Sequence, residues 1–232
     1  MYRYETHLHT RPVSRCSQAG VRESLEFYKE LGYDGVFVTN HFLDGNINID
    51  PATPYEEKIN FYFADYEEAE RIAPEIGIKA FCGVEITYGG TDFLIFGLDK
   101  EWFLKNPQIM EMNKRDELEY FIENGAFVIH AHPYREAPYI DHIRLYPRQV
   151  HGVEVINASR TELENSMAKI YAQSYDLLEF AGSDNHLGRR QRRIAGLSCE
   201  RPISSVEEFI ECMKNKEMKT FYFERELEQV AK

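Results

Sequence analysis

The sequence predicts an α/β domain built on a mainly parallel sheet. Two patterns carry this reading. Short apolar runs alternate with segments of helical periodicity along the whole chain, and no linker-like, low-complexity or repeated stretch interrupts them. Polar side chains also collect at or just after the ends of the apolar runs, at His7, His41, Glu85, His132, Asn157 and Asp184. Loops at the carboxyl ends of parallel strands share one face, so residues far apart in sequence would converge there.

In order, residues 2–6 read as a short strand. Residues 17–31 read as a helix with Val21, Leu25 and Tyr28 on one face, ended by Gly32. Residues 35–39 form an apolar strand that stops at Asn40-His41, and 44–54 form a loop rich in Asp, Asn, Gly and Pro. Residues 56–76 are helical, with Pro74 expected to end the helix early. Strands follow at 78–85 and 92–98, a helix at 108–124 before Gly125, and a strand at 126–130 leading into His130-Ala131-His132-Pro133. A strand at 153–156, a helix at 161–175 and a strand at 178–181 come next, the last running into Gly182-Ser183-Asp184-Asn185-His186. Residues 194–197, a helix at 204–214 and a strand at 219–223 close the chain, and all 232 residues are expected to form a single domain.

Composition narrows the function. With 27 Lys plus Arg against 39 Asp plus Glu, the formal net charge is −12. An acidic chain repels phosphate backbones, which argues against an extended nucleic-acid surface. No apolar run approaches the roughly 18 residues of a membrane span, and the first residues have no apolar core of a secretory signal. Cys16, Cys82, Cys199 and Cys212 form no C-x-x-C pair, so a reducing, cytoplasmic setting is expected, with Cys82, Cys199 and Cys212 read as small buried residues.

Three pairs sit at i, i+2 spacing: His7 and His9, His130 and His132, Asp184 and His186. On extended backbone such side chains point to the same side, and neutral imidazoles or a carboxylate so placed can share a divalent ion. Alone, each has an ordinary explanation in a capped turn, a solvated loop or a strand-end histidine. Pro133 is expected to restrain His132 to an extended conformation. Glu85 ends an apolar run, where a carboxylate must be paired or exposed, and it is the residue type that can bridge two cations. One shared rim explains all of them together.

These motifs resemble the PHP (polymerase and histidinol phosphatase) superfamily. The resemblance rests, in order, on His7-Leu8-His9-Thr10, Val38-Thr39-Asn40-His41, Gly83-Val84-Glu85, Ala131-His132-Pro133 and Gly182-Ser183-Asp184-Asn185-His186. It implies a distorted (β/α)7 TIM-like barrel with a metal site at the C-terminal rim of its strands. It implies two or three divalent ions (Zn, Mn or Fe) held by His7, His9, His41, Glu85, His132, Asp184 and His186, with Glu85 bridging. The activity it implies is that of a stand-alone phosphoesterase. Three positions depart from the family pattern. Asn40 stands where Asp is usual, Cys16 is the candidate for a further ligand after the first motif, and only Asp92 stands near where a histidine commonly follows the bridging Glu.

The expected reaction is hydrolysis of a small phosphomonoester or nucleotide by metal-activated hydroxide, with Glu85 and Asp184 at the reacting centre. His130 is expected in the layer behind the ligands or against the substrate, as a proton donor to the leaving oxygen. Arg135 and Arg160 on rim loops, and Arg192 from the run Arg189-Arg190-Gln191-Arg192-Arg193, are expected to bind phosphate. Tyr134 and Tyr139 are candidates to line the pocket. Two other readings stand beside this one: a catalytically weak module that binds a phosphorylated ligand, and an amidohydrolase-like hydrolase. The latter would want a rim lysine, whereas Lys79 begins its strand.

Overall fold

The computed structural model describes residues 1–226. Its strands, in chain order, are β1 (Tyr2–Leu8), β2 (Gly35–Val38), β3 (Lys79–Cys82), β4 (Val84–Tyr88), β5 (Thr91–Phe96), β6 (Phe127–Ala131), β7 (Gly152–Asn157), β8 (Leu178–Gly182), β9 (Arg193–Cys199) and β10 (Lys219–Glu224). The helices are α1 (Val21–Glu30), α2 (Tyr55–Ile76), α3 (Lys100–Lys105), α4 (Lys114–Glu123), α5 (Glu162–Ser174) and α6 (Val206–Lys214).

The strands form two sheets, ordered β10-β9-β1-β2-β3 and β4-β5-β6-β7-β8. The expected mainly parallel sheet is corrected to two mixed ones. Strands β1–β2–β3 and β6–β7–β8 pair in parallel, while β4–β5–β6 and β1–β9–β10 pair antiparallel. Ladder hydrogen bonding does not close into a barrel among the described residues. Isolated parallel bridges, Leu8 with Asn185 and His41 with Glu85, join the two sheets at one end. That end carries the polar residues.

The expected single strand at 78–85 is two strands in different sheets, and Gly83 makes the break. A Cβ there would lie 2.7 Å from the Thr39 methyl and 2.8 Å from the Phe96 ring, so the chain crosses between sheets only at glycine. Helix α2 runs through Pro74, because a proline in the last turn removes one backbone hydrogen bond, and it ends at Gly77 with φ +76°. The helix expected from 108 begins at Lys114, where Asn113 accepts from the Asp116 amide at 3.1 Å. Residues 9–20, including 17–20 of the expected helix, form a loop, tied by Arg11 N–H to Ala19 O (2.9 Å) and Gln18 N–H to His186 O (2.8 Å).

Between the sheets lies an aromatic core. Phe37 meets Phe81 at 4.8 Å, Phe96 at 5.3 Å and Phe209 of α6 at 4.5 Å between ring centroids. Tyr4, Leu94, Phe127, Ile129 and Phe180 complete the cluster. Helices α1 and α2 cover the outer face of the first sheet through Leu25, Tyr28 and Ile72 against Val36 and Val38. No described helix is long and apolar enough to cross a membrane.

Candidate metal centre

The bridged end gathers seven of the expected ligand residues. His7 comes from β1 and His9 from just beyond it, His41 follows β2, Glu85 lies in β4, His132 follows β6, and Asp184 and His186 follow β8. His7, His9 and Glu85 are fully buried. Three groups have ligand-type atoms within 4.8 Å of one another: His9–His41–His186, His7–Glu85–His132 and His7–His9–Asp184.

Glu85 stands between the first two. Its Oε1 lies 3.0 Å from His7 Nε2 and 3.5 Å from His132 Nε2. Its Oε2 lies 2.6 Å from His41 Nδ1 and 3.4 Å from His9 Nε2. Asp184 Oδ1 lies 3.4 Å from His9 Nε2, 3.6 Å from His7 Nε2 and 3.2 Å from His186 Nδ1.

The rings are aimed from behind. His7 Nδ1 meets Glu154 Oε1 at 2.9 Å, which leaves Nε2 to face the centre. His9 Nδ1 meets Ser14 Oγ at 3.1 Å, with the same result. Ser14 in turn donates to Asn40 Oδ1 at 2.8 Å and accepts from His41 N–H at 3.1 Å. Asn40 also accepts from Thr10 N–H at 2.7 Å and donates to Asp65 Oδ2 at 3.1 Å. The carboxylate expected at position 40 is thus replaced by an amide, and a negative group sits one step back on α2.

Glu154, Ser14 and Asp65 were not singled out by sequence. Glu154 had a usable signal, a charge inside the apolar run Val153-Glu154-Val155. It accepts from the His132 amide at 3.0 Å and from Asn157 Nδ2 at 2.8 Å. Asp65 had a weaker signal, its place on the buried face of α2 with Tyr62, Ala69 and Ile72. Ser14 had none, because its role depends on the loop that carries it.

Electrostatics sort the groups. Burial opposes charge on His7, but Glu154, Asp184 and Glu85 outweigh it and hold its pKa well above the ordinary imidazole range. His9 goes the other way: burial, His186 and His41 push it well below. Glu85 and Asp184 stay ionised against the cost of burial, Glu85 beside His41 and His7 and Asp184 beside His7 and His186. Buried His9 Nε2, His132 Nδ1 and Asp92 Oδ1 have no hydrogen-bond partner among the described residues. Unpartnered buried lone pairs of this kind cost stability unless something accepts them. A set of imidazole nitrogens and carboxylate oxygens fits divalent transition ions.

A cleft of about 630 Å³ opens onto the centre, lined by Glu85, Asp92, His132, Arg135, Tyr139 and Arg160 among others. Cys16 lines it beside His41 and His186. Burial opposes ionisation of its thiol, but the two imidazoles bring it down to about 6. Arg135 donates to Asp92 Oδ2 at 2.9 Å and also to the Tyr139 hydroxyl. Arg160 Nε is buried and unpartnered.

Two expected residues lie elsewhere. His130 is buried on the outer face of β6, stacked on Phe93 at 4.8 Å, with neither ring nitrogen bonded. Strand alternation is the reason: Phe127, Ile129 and Ala131 take the inner face and Val128 the outer. Arg192 is exposed and lines a separate small cleft with Arg193 and Glu224. Its carbonyl accepts from Arg225 N–H, because β9–β10 pairing continues to the strand end and carries it outward. Arg189 pairs with Glu30 at 2.7 Å. Tyr134 packs at the outer cluster of α5 rather than in the cleft.

No family model and no curated relative matches the sequence. Solved structures do match. One is a two-domain protein from Bacteroides vulgatus ATCC 8482 containing a predicted PHP-like metal-dependent phosphoesterase, at TM-score 0.66 and 15% identity over 95% of this chain and 64% of that one. The chain has a PHP-type fold. Similarity in this fold extends to a Chromobacterium violaceum amidohydrolase solved with sulfate and no metal (TM-score 0.52, 14% identity, 81% of this chain and 89% of that one). It also extends to a lesion-specific endonuclease, PfuEndoQ from Pyrococcus furiosus (TM-score 0.51, 11% identity, 94% of this chain and 57% of that one). The chain therefore spans less than two thirds of the first and third of these. Within the PHP-type fold, its rim geometry stands on its own residues.

Proposed function

We propose that this chain is a metal-dependent phosphoesterase acting on a small phosphate ester or a nucleotide, with two or three Zn, Mn or Fe ions at the rim of a barrel-like pair of sheets. The observation that carries the reading is Glu85, whose two carboxylate oxygens face different pairs of imidazoles. His7 and His132 would hold one ion with Glu85, and His9, His41 and His186 the other, with Asp184 between them and Cys16 at the cleft side of the second. When bound, such ions lower the pKa of water toward neutrality and neutralise charge on phosphoryl oxygens.

The chain's own residues supply the rest. Arg160 lines the cleft, where its guanidinium would bind phosphate oxygens as a fork. Asp92 keeps Arg135 at the same wall. Glu154 and Ser14 would hold the protons on the far nitrogens of His7 and His9, leaving the inward nitrogens to an ion that displaces any proton there. The cleft has the size usual for small-molecule sites.

An amide-hydrolysing reading draws on the amidohydrolase neighbour. Against it, Lys79 donates to Ile203 O at 2.9 Å and Ser204 Oγ at 3.0 Å, away from the rim, and no lysine among the described residues lines the cleft. The test is elemental analysis of purified protein with a phosphate-release screen over monoesters, nucleotides and oligonucleotide ends, run beside amide and lactone substrates. Two or more transition ions per chain and phosphate release that Asp184→Asn abolishes without unfolding are expected. Metal-free protein, inert after adding Mn or Zn, would sink the proposal. Tight phosphate-ester binding with no product would favour the ligand-binding module instead.

A further inference from the structure

Two cysteines that the sequence separates by 13 positions meet in the fold, well apart from the rim in sequence and in the elements that carry them. Cys199 ends β9 and Cys212 lies in α6, and both are buried. Their sulfurs are 4.0 Å apart. Glu217, in the turn between α6 and β10, brings Oε2 to 3.4 Å from Cys212 Sγ. All three ligand atoms lie within 4.8 Å of one another.

We propose that Cys199, Cys212 and Glu217 form a second metal site, for one soft divalent ion such as Zn2+ or Cd2+. The spacing fits tetrahedral coordination. With metal–sulfur bonds of about 2.3 Å and a metal–oxygen bond of about 2.1 Å, ligand edges are roughly 3.8 Å for S–S and roughly 3.6 Å for S–O. The observed 4.0 and 3.4 Å need shifts of only a few tenths of an ångström. A disulfide, by contrast, would need the sulfurs to close to about 2.05 Å.

The surroundings suit such an ion. Arg201 Nε donates to Glu217 Oε2 at 3.1 Å, orienting the carboxylate and holding it ionised below its usual range. The bed is rigid: Glu217 N–H bonds Cys212 O at 2.9 Å, and both cysteines pack in the aromatic core beside Phe209. Cys199 and Glu217 also line a surface cleft of about 420 Å³, which gives the ion a path in and leaves a fourth coordination position toward solvent. Two thiolates and a carboxylate carry three negative charges, so a divalent ion leaves one. Arg201, Lys216 and Lys219 at the same cleft offset it.

Burial and neighbouring Glu217 push the Cys212 thiol up to about 12, so the proton stays on sulfur until an ion displaces it. Binding then forms two metal–sulfur bonds and one metal–oxygen bond, breaks two S–H bonds and releases two protons. No electron changes hands. The ion would clip the end of β9 to α6 and to the turn that starts β10. The site is independent of the phosphoesterase reading.

The test is Cd2+ titration of the full chain in a Cys16→Ser background, followed by ultraviolet sulfur-to-metal charge-transfer absorption and by metal content. One sulfur-ligated Cd2+ per chain is expected. Cys199→Ser and Cys212→Ser should each reduce the band by half or more, and Glu217→Gln should weaken Cd2+ binding at that band tenfold or more. Phosphate release should be unchanged in Glu217→Gln. Absence of the band, a band unmoved by Cys212→Ser, or an affinity untouched by Glu217→Gln overturns the proposal. Glu217 is exposed, so its substitution decides the matter even where a cysteine variant does not fold.

Discussion

The space between the two sheets has two ends of opposite character built by the same strands. At one end Tyr4, Phe37, Phe96, Phe127 and Phe180 interlock with Phe209 of α6. At the other, β1 continues to His7, β2 leads to His41, β6 to His132 and β8 to Asp184. The aromatic end obeys strand alternation: Phe127 and Ile129 point in while Val128 points out. Parts of the polar end break it. The β1–β2 register shifts between Glu5 and Leu8, and a further shift follows Glu154 in β7. His132 and Asp184 adopt left-handed backbone, with φ of +27° and +50°. Such irregularities cost free energy and persist where surrounding packing holds them in place. The aromatic end supplies that packing, and the imidazole end uses it.

The contrast breaks if the two ends prove interchangeable in their effects. Glu85→Gln should remove bound metal and lower phosphate release by about a thousandfold or more, as loss of several kcal/mol of charge stabilisation implies. Its folded state should survive by circular dichroism. Phe37→Ala should do the reverse, costing about 3–5 kcal/mol in denaturant unfolding while folded chains keep their metal content. If Phe37→Ala empties the metal centre at a temperature where the chain is folded, the two ends are one cooperative unit and the contrast fails.

Smaller effects sharpen it. Glu154→Gln leaves every candidate ligand in place but loosens His7, so metal affinity should fall about 10–100-fold in competition with a chelator. An unchanged affinity would mean that the β1 backbone alone aims His7.

A third case lies at the rim's outer wall, where Lys114 of α4 reaches Asp44 at 3.0 Å and Glu117 at 2.5 Å. Burial, partly offset by Lys114, pushes Glu117 from 4.5 up to about 7. The folded chain therefore keeps a proton that the unfolded chain has lost across this window. Stability from this group is fullest below about pH 4.5 and falls as pH rises toward about 7. Glu117→Gln should flatten that slope in pH-dependent melting, and a slope that persists would place its origin elsewhere.

The smallest effect belongs to His130. Its two unpaired buried nitrogens make His130→Leu neutral or stabilising by about 1 kcal/mol, with metal content and activity unchanged. Loss of activity in that variant would return His130 to the site.

How much of this was legible in sequence follows from the same contrast. Residues that keep alternation were readable by counting: Phe37 and His41 share a parity, and Glu85 faces inward between outward Val84 and Ile86. Asp92 shares the inward face of Leu94 and Phe96. His130 was misplaced because its spacing from His132 suggested a shared direction, and the left-handed turn at His132 separates them. Arg192 was misplaced because a run of arginines carries no information about which strand edge it ends on. Glu154 and Asp65 were overlooked because support from behind a ligand depends on distance in space, which no motif records.

By itself the sequence determined the alternation of strands and helices and the residue types at the strand ends, His7, His9, His41, Glu85, His132, Asp184 and His186. These are local properties, set by side-chain type and spacing. The tertiary structure decided that the strands form two mixed sheets, that Glu85 faces two sets of imidazoles, that Cys199 meets Cys212, and that His130 does not reach the rim. The split into two sheets depends on the crossing at Gly83, and the parting of His130 from His132 on a left-handed residue. These are settled only when distant segments pack, because their local cost is recovered by contacts made far along the chain.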